Sequence, residues 1–275
     1  MVVRGATVAP RVDPVTELLP LLAEDWDRAM CVVAHPDDIE YGAAAAVARW
    51  TSQGKTVSYL LATRGEAGID SIPPRQAAPL REQEERTGAA RVGVDVVEFL
   101  DHTDGIVENT LQLRRDIARA IRRHRPEIMV TGGFEVRGPG GVFSNQSDHR
   151  AVGLAALDAA RDAGNRWIFP ELLDEGLEPW GGVRFVAVVG GERPSHGVDV
   201  TGEPLARGIA SLEAHAQYTA GLGNAGFDVA PFLTYFATQS GTAIGVEAAV
   251  LFDVYRLIPD GPMPWMVSSE DSTTE

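Results

Sequence analysis

Residues 30–42 join an apolar run to a histidine, a proline and two adjacent aspartates, in the order MCVVAHPDDIEYG. The apolar residues predict a buried strand that ends near Ala34, and the Ala-rich segment after the aspartates predicts a helix. Pro36 suits a first helical turn, where its missing N–H has no partner to lose. The helix dipole favours carboxylates at the same place. The stretch therefore predicts a strand-to-helix turn that carries several ionisable side chains.

This turn has the residue types of a metal site. His35 and Asp38 are three residues apart and can converge on one cation, and zinc accepts both imidazole and carboxylate ligands. Asp37 is then free to take a proton from metal-bound water. A structural interpretation stays open, because adjacent aspartates often cap a helix and a histidine at a strand end is often a core residue. The metal hypothesis therefore requires a third ligand from elsewhere in the chain.

Strands and helices alternate after this turn. Further buried strands are predicted over residues 56–62, 94–100 and 127–131, with helical segments between them. Continuous helices are predicted over residues 39–53 and 204–218. This alternation is typical of an α/β fold with a Rossmann-like, doubly wound, mostly parallel sheet flanked by helices. Past residue 170 the pattern becomes richer in strands. Ligands of such sheets bind outside the carboxyl ends of the strands, so we expect the loops there to carry the function.

A third ligand candidate follows the fourth strand. Residues 132–147 form a long glycine-containing loop, and the run QSDH at residues 146–149 opens a predicted helix. The glycine run is not followed directly by a helix, which argues against a dinucleotide-binding fingerprint. The histidine of QSDH falls in a first helical turn at the sheet edge predicted for His35. The candidate ligands of an open metal site are therefore His35, Asp38 and His149.

Composition limits the partners of the chain. Its formal charge of −15 over 275 residues argues against nucleic acid or an anionic membrane surface as a partner. No run of 18 apolar residues predicts a membrane-spanning helix, and the N-terminus lacks the apolar core of a signal peptide. Cys31 is the single cysteine, which excludes an intrachain disulfide and favours a reducing, cytoplasmic compartment. We expect a small-molecule substrate, and the question of a homo-oligomer stays open.

The chain contains no internal repeat and no evident linker. We therefore predict one domain over residues 29–258. Residues 1–28 are predicted to form an N-terminal arm, and residues 259–275 a loose C-terminal tail, because the end of the chain is polar.

The motif AHPDDIE at residues 34–40, together with SDH at residues 147–149, resembles the PIG-L/LmbE-like zinc-dependent N-deacetylases. A TRGEAG loop and an R-x-x-E pattern lie between the two motifs, and VDVT and H-x-Q follow them, so the resemblance extends from about residue 31 to residue 217. The family includes deacetylases of GlcNAc-phosphatidylinositol, of thiol-pathway precursors and of antibiotic sugars in secondary metabolism. The resemblance implies a Zn²⁺ cofactor and an N-acylated sugar or glycoconjugate as substrate.

The resemblance also implies roles for individual residues. It implies the same three zinc ligands, with Asp37 as general base. Arg81 and Asp104 match positions that contact sugar hydroxyls in relatives, and Glu66 lies in a loop that shapes the pocket. Structural alternatives stay open for these last three: an ion pair along a helix, a turn, and a solvated side chain.

One position departs from the family pattern. Gln146 stands where relatives usually carry the first histidine of His-Pro-Asp-His. A glutamine can donate a hydrogen bond to an oxyanion, but it has no proton to transfer near neutral pH. Gln146 and Asp148 are kept as catalytic candidates beside Asp37. His102 and His215 are the other histidines considered as proton donors.

The leading hypothesis is a zinc-dependent amidohydrolase that removes an acetyl or other acyl group from an N-acyl amino sugar or a similar conjugate. One alternative is a catalytically degraded metal- and sugar-binding protein, motivated by Gln146. A zinc hydratase on the same scaffold is another. Two histidines and one carboxylate can also hold Fe(II) in an oxygenase. The alternating α/β pattern disfavours that assignment, because the usual host is a β-rich barrel.

Overall fold

The computed structural model describes residues 17–138, 144–223 and 227–258. The strands of this part are β1 (Arg28–Val33), β2 (Thr56–Leu61), β3 (Val96–Phe99), β4 (Ile128–Gly132), β5 (Phe185–Val189), β6 (His196–Asp199) and β7 (Ala249–Arg256). The helices are α1 (Asp38–Gly42), α2 (Ala44–Ser52), α3 (Pro74–Arg91), α4 (Leu111–His124), α5 (Ser147–Asp162), α6 (Glu171–Asp174), α7 (Glu203–Glu213), α8 (Ala216–Gly221) and α9 (Val229–Gly241).

The seven strands form one sheet in the order β3-β2-β1-β4-β5-β7-β6. Strands β1 to β5 pair in parallel, whereas β7 runs antiparallel to both of its neighbours, β5 and β6. This confirms the predicted mostly parallel, doubly wound α/β fold with a strand-rich C-terminal part. No helix among the described residues combines the length and apolar character that a bilayer crossing requires.

The apolar run of β1 is continuous because the strand is buried on both faces, as is usual in parallel sheets. Cys31 and Val33 point into one core together with side chains of α2. Met30 and Val32 point into the opposite core with side chains of α4 and α5. The described part of the predicted arm packs on the first of these cores through Leu22 and Trp26.

The order of the strands creates a crevice between β1 and β4. The chain leaves β1 towards β2 and β3 on one side, and then returns to β4 on the other side. Loops that follow β1 and β4 therefore diverge, which opens a ligand site at their carboxyl ends. The turn at His35 and the segment that leads into α5 both lie at this point.

Two helices predicted as continuous are divided in the structure. The helix expected over residues 39–53 is broken at Ala43 (φ −113°), where α1 ends and α2 begins. The helix expected over residues 204–218 is interrupted at His215 (φ −84°, ψ 44°). The His215 side chain is fully buried, so the break coincides with the point where a polar ring enters the interior.

Candidate metal centre

Three of the predicted side chains meet at the carboxyl end of β1. His35 Nδ1 lies 3.5 Å from Asp38 Oδ2, and His149 Nε2 lies 3.0 Å from Asp38 Oδ1. One ligand atom from each of the three residues lies within 4.8 Å of the other two. Asp38 also closes the turn locally, because its Oδ2 accepts hydrogen bonds from the backbone N–H groups of Ala34 (3.1 Å) and His35 (2.9 Å). Asp38 is thus the centre of the cluster.

Asn145 determines the tautomer of His149. The Asn145 Nδ2 group donates to the backbone carbonyls of Gly133 (2.7 Å) and Glu135 (3.1 Å), which leaves Oδ1 facing His149 Nδ1 at 3.0 Å. Because an amide oxygen only accepts, Nδ1 carries the proton and Nε2 keeps its lone pair. His149 Nε2 is buried and makes no hydrogen bond of acceptable geometry with a described residue. His149 Nε2 thus faces the Asp38 carboxylate while Nδ1 is held by an outer partner, which is the arrangement of a histidine metal ligand.

The His35 ring is held in the complementary way. Its Nε2 lies 3.1 Å from Asp104 Oδ1 and 3.3 Å from Asp148 Oδ2, so the proton belongs on Nε2. The carboxylate of Asp148 also accepts the backbone N–H groups of Gly105 (2.8 Å) and Val107 (3.1 Å). In the neutral ring these contacts keep the proton on Nε2, so the lone pair that a metal would meet is on Nδ1, which faces Asp38. Two imidazoles with fixed outer partners and one carboxylate fit a divalent metal such as zinc.

The charges of the cluster shift its pKa values strongly. Burial alone would lower the pKa of His35, but the charge of Asp38 and hydrogen bonds to Asp104 and Asp148 raise it to about 12. Burial would raise the pKa of Asp38, but His149 and His35 hold it well below its usual range. The cluster is thus rich in carboxylates and holds protons tightly, and a bound dication would compensate this negative charge.

Asp37 projects beside these ligands from a left-handed backbone conformation (φ 93°, ψ −20°). A non-glycine residue in this region costs about 1–3 kcal/mol and persists only where neighbours hold it. The Asp37 N–H donates to Glu85 Oε2 (3.1 Å), and Asp37 Oδ2 lies 3.4 Å from Arg81 Nη2. Arg81 also donates to the carbonyl of Pro36 and lies 3.5 Å from the centre of the Tyr218 ring. Burial raises the pKa of Asp37 to about 8, against the opposing charge of Arg81.

A cavity of about 790 Å³ opens onto this cluster. The predicted site residues in its wall are His35, Asp37, Asp38, Arg81, Asp104, Gln146 and His149. The remaining two lie behind the wall. Asp148 is buried against His35, and Glu66 braces the neighbouring loop by accepting the backbone N–H groups of Asp104 (3.0 Å) and Arg64 (3.2 Å).

Neither of the other candidate proton donors belongs to the described wall of the cavity. His102 lies in the loop after β3, and its Nε2 is 3.5 Å from Asp116 Oδ2 of α4. His215 is fully buried between α3 and α1, and burial lowers its pKa to about 3. These placements leave two carboxyl groups of the wall with pKa values near neutrality: Asp37, directly beside the metal ligands, and Glu40, whose pKa burial raises to about 7.

His215 belongs to a second buried polar cluster with Glu40 and Glu85. Its Nε2 lies 3.9 Å from Glu40 Oε2 and 3.8 Å from Glu85 Oε2, and the three side chains are almost completely buried. Ser211 donates to Glu40 Oε1 (3.0 Å). Burial raises the pKa of Glu40 to about 7 and that of Glu85 well above its usual range. Glu85 connects this cluster to Asp37, because its Oε2 accepts the Asp37 N–H.

The sequence analysis did not identify Asn145 or Glu85. Asn145 lies four residues before His149, and Glu85 lies four residues after Arg81 on α3. Glu85 therefore sits one turn of α3 from Arg81, a spacing at which a supporting contact is possible, whereas Asn145 precedes α5. That spacing is the only signal for them in the sequence.

The chain is similar in sequence to known deacetylases. Residues 30–160 match the profile of the PIG-L family, described as GlcNAc-PI de-N-acetylase. The chain is 28% identical to the diacetylchitobiose deacetylase of Thermococcus kodakarensis, over 64% of this chain and 65% of that protein. It is 30% identical to the 1D-myo-inositol 2-acetamido-2-deoxy-alpha-D-glucopyranoside deacetylase of Kineococcus radiotolerans, over 68% of this chain and 58% of that protein. The match thus spans less than two thirds of the length of either relative.

A solved structure shares the fold over a longer range. The N,N'-diacetylchitobiose deacetylase of Pyrococcus horikoshii superposes with a TM-score of 0.74 and 22% identity, covering 86% of this chain and 88% of that chain. Its likeness extends past the segment matched by the family profile and includes the strand-rich C-terminal part. Over residues 30–160 the chain therefore belongs to the PIG-L (GlcNAc-PI de-N-acetylase) family.

Proposed function

We propose that this chain is a zinc-dependent N-deacetylase that hydrolyses the amide of an N-acyl amino sugar or a similar small-molecule conjugate. The observation that carries the proposal is the pair of ring nitrogens, His35 Nδ1 and His149 Nε2, that face Asp38 beside Asp37. Both curated relatives are named as deacetylases of acetylated amino sugars, which supports the substrate class.

His35 Nδ1, Asp38 and His149 Nε2 would hold the metal, and the cavity leaves a side of this set open to substrate. A bound zinc ion supplies Lewis acidity and a water of lowered pKa. Asp148 and Asp104 orient the His35 ring, and Asn145 orients the His149 ring. We assign Asp148 this positioning role.

Asp37 is the group we assign to proton transfer. Arg81 contacts Asp37 through Oδ2, so Oδ1 is the oxygen that takes the proton from the attacking water. A pKa of about 8 matches a group that accepts a proton and later returns it near neutral pH. We assign delivery of this proton to the leaving amine nitrogen to the same carboxyl, because Asp37 lies directly beside the metal ligands. Glu40 also lines the wall and has a pKa of about 7, but its carboxylate accepts from Ser211 and faces His215 in the second buried cluster.

Gln146 lies at the start of α5 and in the wall of the cavity. We assign its side-chain amide to hydrogen bonding of the substrate carbonyl oxygen as negative charge develops there. Arg81 of α3 and Asp104 of the loop after β3 both line the cavity and are assigned to the sugar hydroxyls. Glu66 acts on the substrate indirectly, because its carboxylate holds the backbone of Asp104.

The proposal is tested by release of free amine from N-acetylglucosamine and N,N'-diacetylchitobiose by the zinc-loaded protein. We expect turnover that falls by about 10²–10⁴-fold in Asp37→Asn. Asp70→Asn, which changes an exposed aspartate outside the cavity wall, is the matched control and should stay within about twofold of the parent. Tight sugar binding with no amine release would contradict the deacetylase proposal and support the alternative of a sugar-binding protein.

A cytoplasmic location and a single domain over residues 29–258 are part of the same proposal. The cytoplasmic location rests on Cys31, the single cysteine of the sequence, which is buried and free and therefore forms no intrachain disulfide. The second rests on the continuous sheet, to which segments from residue 28 to residue 256 contribute strands.

A further inference from the structure

The wall of the cavity changes character along the edge of the sheet. At β1 and β4 it is polar and contains the metal-ligand candidates. Further along the sheet, past β5 and towards β7, the wall is apolar and is formed by Val189, Leu205, Leu233, Phe236, Val250 and Leu251. An N-acetyl group needs only a methyl-sized apolar contact, so this second half of the wall is larger than deacetylation of a plain acetyl sugar requires.

A series of aromatic contacts joins the apolar half of the wall to Tyr41, which lies on α1 together with the metal-ligand candidate Asp38. Tyr41, three residues after Asp38, packs edge-on against Phe232 of α9 with ring centres 5.9 Å apart. Phe232 in turn contacts Phe236 at 4.9 Å. Phe236 faces the cavity and is 52% exposed, so part of its ring is in water when no ligand is present. Covering such a ring with an apolar ligand group is favourable.

We propose that the substrate carries an alkyl or aryl group larger than a methyl group, which lies against α9 and β7 while the amide faces the metal centre. This inference rests on the proposed function and specifies its substrate class. The apolar group has two chemical sources, a long N-acyl chain or the aglycone of an N-acetylated glycoside. The cavity volume of about 790 Å³ is within the range of sites for drug-sized ligands.

Two substrate series distinguish these sources. The first varies the acyl chain of N-acylglucosamines from acetyl through hexanoyl to octanoyl, and the second compares methyl with octyl glycosides of N-acetylglucosamine. A buried methylene contributes about a two- to fourfold gain in kcat/KM. We therefore expect at least a ~30-fold gain along one series, and the series that gains identifies the source. A flat or falling kcat/KM in both series overturns the proposal.

Variants locate the effect in the apolar wall. The double variant Leu233→Ala/Phe236→Ala should reduce the ratio of kcat/KM between the octyl or octanoyl substrate and its short counterpart by about tenfold. Trp167→Ala removes an 80% exposed aromatic residue between α5 and α6, outside the wall, and should preserve the ratio. An unchanged ratio in the double variant would contradict the placement on α9.

Binding without turnover separates this inference from the proposed function. Calorimetry with the Asp37→Asn protein should give tighter binding of N-octanoylglucosamine or octyl N-acetylglucosaminide than of N-acetylglucosamine, by the factor seen in kcat/KM. Such a preference, together with no amine release by the zinc-loaded wild-type protein, would retain the apolar site and reject only the hydrolase. Equal affinities would reject the apolar site. Dimerisation that is lost in the double variant, without any chain-length preference, would assign α9 to a contact between two copies of the chain.

Discussion

Asn145 is the residue that most directly couples the loop after β4 to the metal ligands. Its oxygen accepts from His149 Nδ1 and its nitrogen donates to two backbone carbonyls. We predict that Asn145→Ala lowers zinc affinity by about 10–100-fold, because the ring loses the partner that fixes its tautomer. Asn145→Asp keeps the acceptor and should bind zinc at least tenfold more tightly than the alanine variant. Competition with a chromophoric chelator measures both, and wild-type affinity in Asn145→Ala would contradict the assignment.

Glu85 acts on the proposed base through the backbone. Its carboxylate accepts the N–H of Asp37, which is held at a positive φ. Glu85→Ala should lower kcat by about tenfold or more, since the strained turn loses a hydrogen bond from a buried donor. Glu85→Gln retains an accepting oxygen and should restore most of the activity. Equal losses of kcat in both variants, or an unchanged kcat in Glu85→Ala, would contradict this positioning role. The zinc content of each variant is measured as well, so that loss of metal is not mistaken for loss of positioning.

The protons held by the ligand cluster predict a pH dependence of metal binding. In the metal-free protein the carboxylates around His35 raise its pKa to about 12, so this imidazole is protonated at neutral pH. The metal must displace that proton, and affinity therefore falls as the pH is lowered. One displaced proton corresponds to about a tenfold change in zinc affinity per pH unit. Zinc titrations at pH 6, 7 and 8 measure the slope, and a flat profile would contradict the proposed protonation state.

At the scale of elements, the close approach of α5 to β4 places His149. A Cβ on Gly153 would lie 2.8 Å from the carbonyl oxygen of Gly132 and 2.9 Å from Phe134 Cβ. We predict that Gly153→Ala destabilises the fold by about 1–3 kcal/mol, because the backbone contact forces α5 away from the sheet. Leu154→Ala, at a 39% exposed position of the same helix, should change stability by less than about 1 kcal/mol. Urea unfolding compares the two, and a Gly153→Ala protein as stable as the parent would contradict the packing.

The elements that carry the metal ligands could be predicted from local sequence. An apolar strand, a proline and two carboxylates define the turn at residues 34–38, and QSDH opens α5 as expected. The break at His215 could not be predicted, because its buried ring faces Glu40 and Glu85, which are distant in sequence. The roles of Asn145 and Glu85 could not be predicted for the same reason, because their partners are defined by tertiary contacts and not by a motif.

At the scale of the whole molecule, the alternation of strands and helices predicted the parallel half of the sheet but not the order of its far edge. The antiparallel pairing of β7 with β5 and β6 is non-local, and the strand patterns of residues 183–255 are similar to one another. This edge supplies the apolar half of the cavity. The candidate metal ligands could therefore be predicted from sequence motifs, whereas the shape of the substrate site could be described only from the complete sheet.

The central claim is that one divalent metal binds where β1 and β4 diverge. Anomalous diffraction at the zinc absorption edge, from crystals of the full chain grown with zinc, measures this directly. We predict one strong peak within bonding distance of His35 Nδ1, Asp38 and His149 Nε2, at about 2.0–2.2 Å from each ligand atom. A map without a peak there, or with its peak at Glu40, Glu85 and His215 instead, would contradict the account.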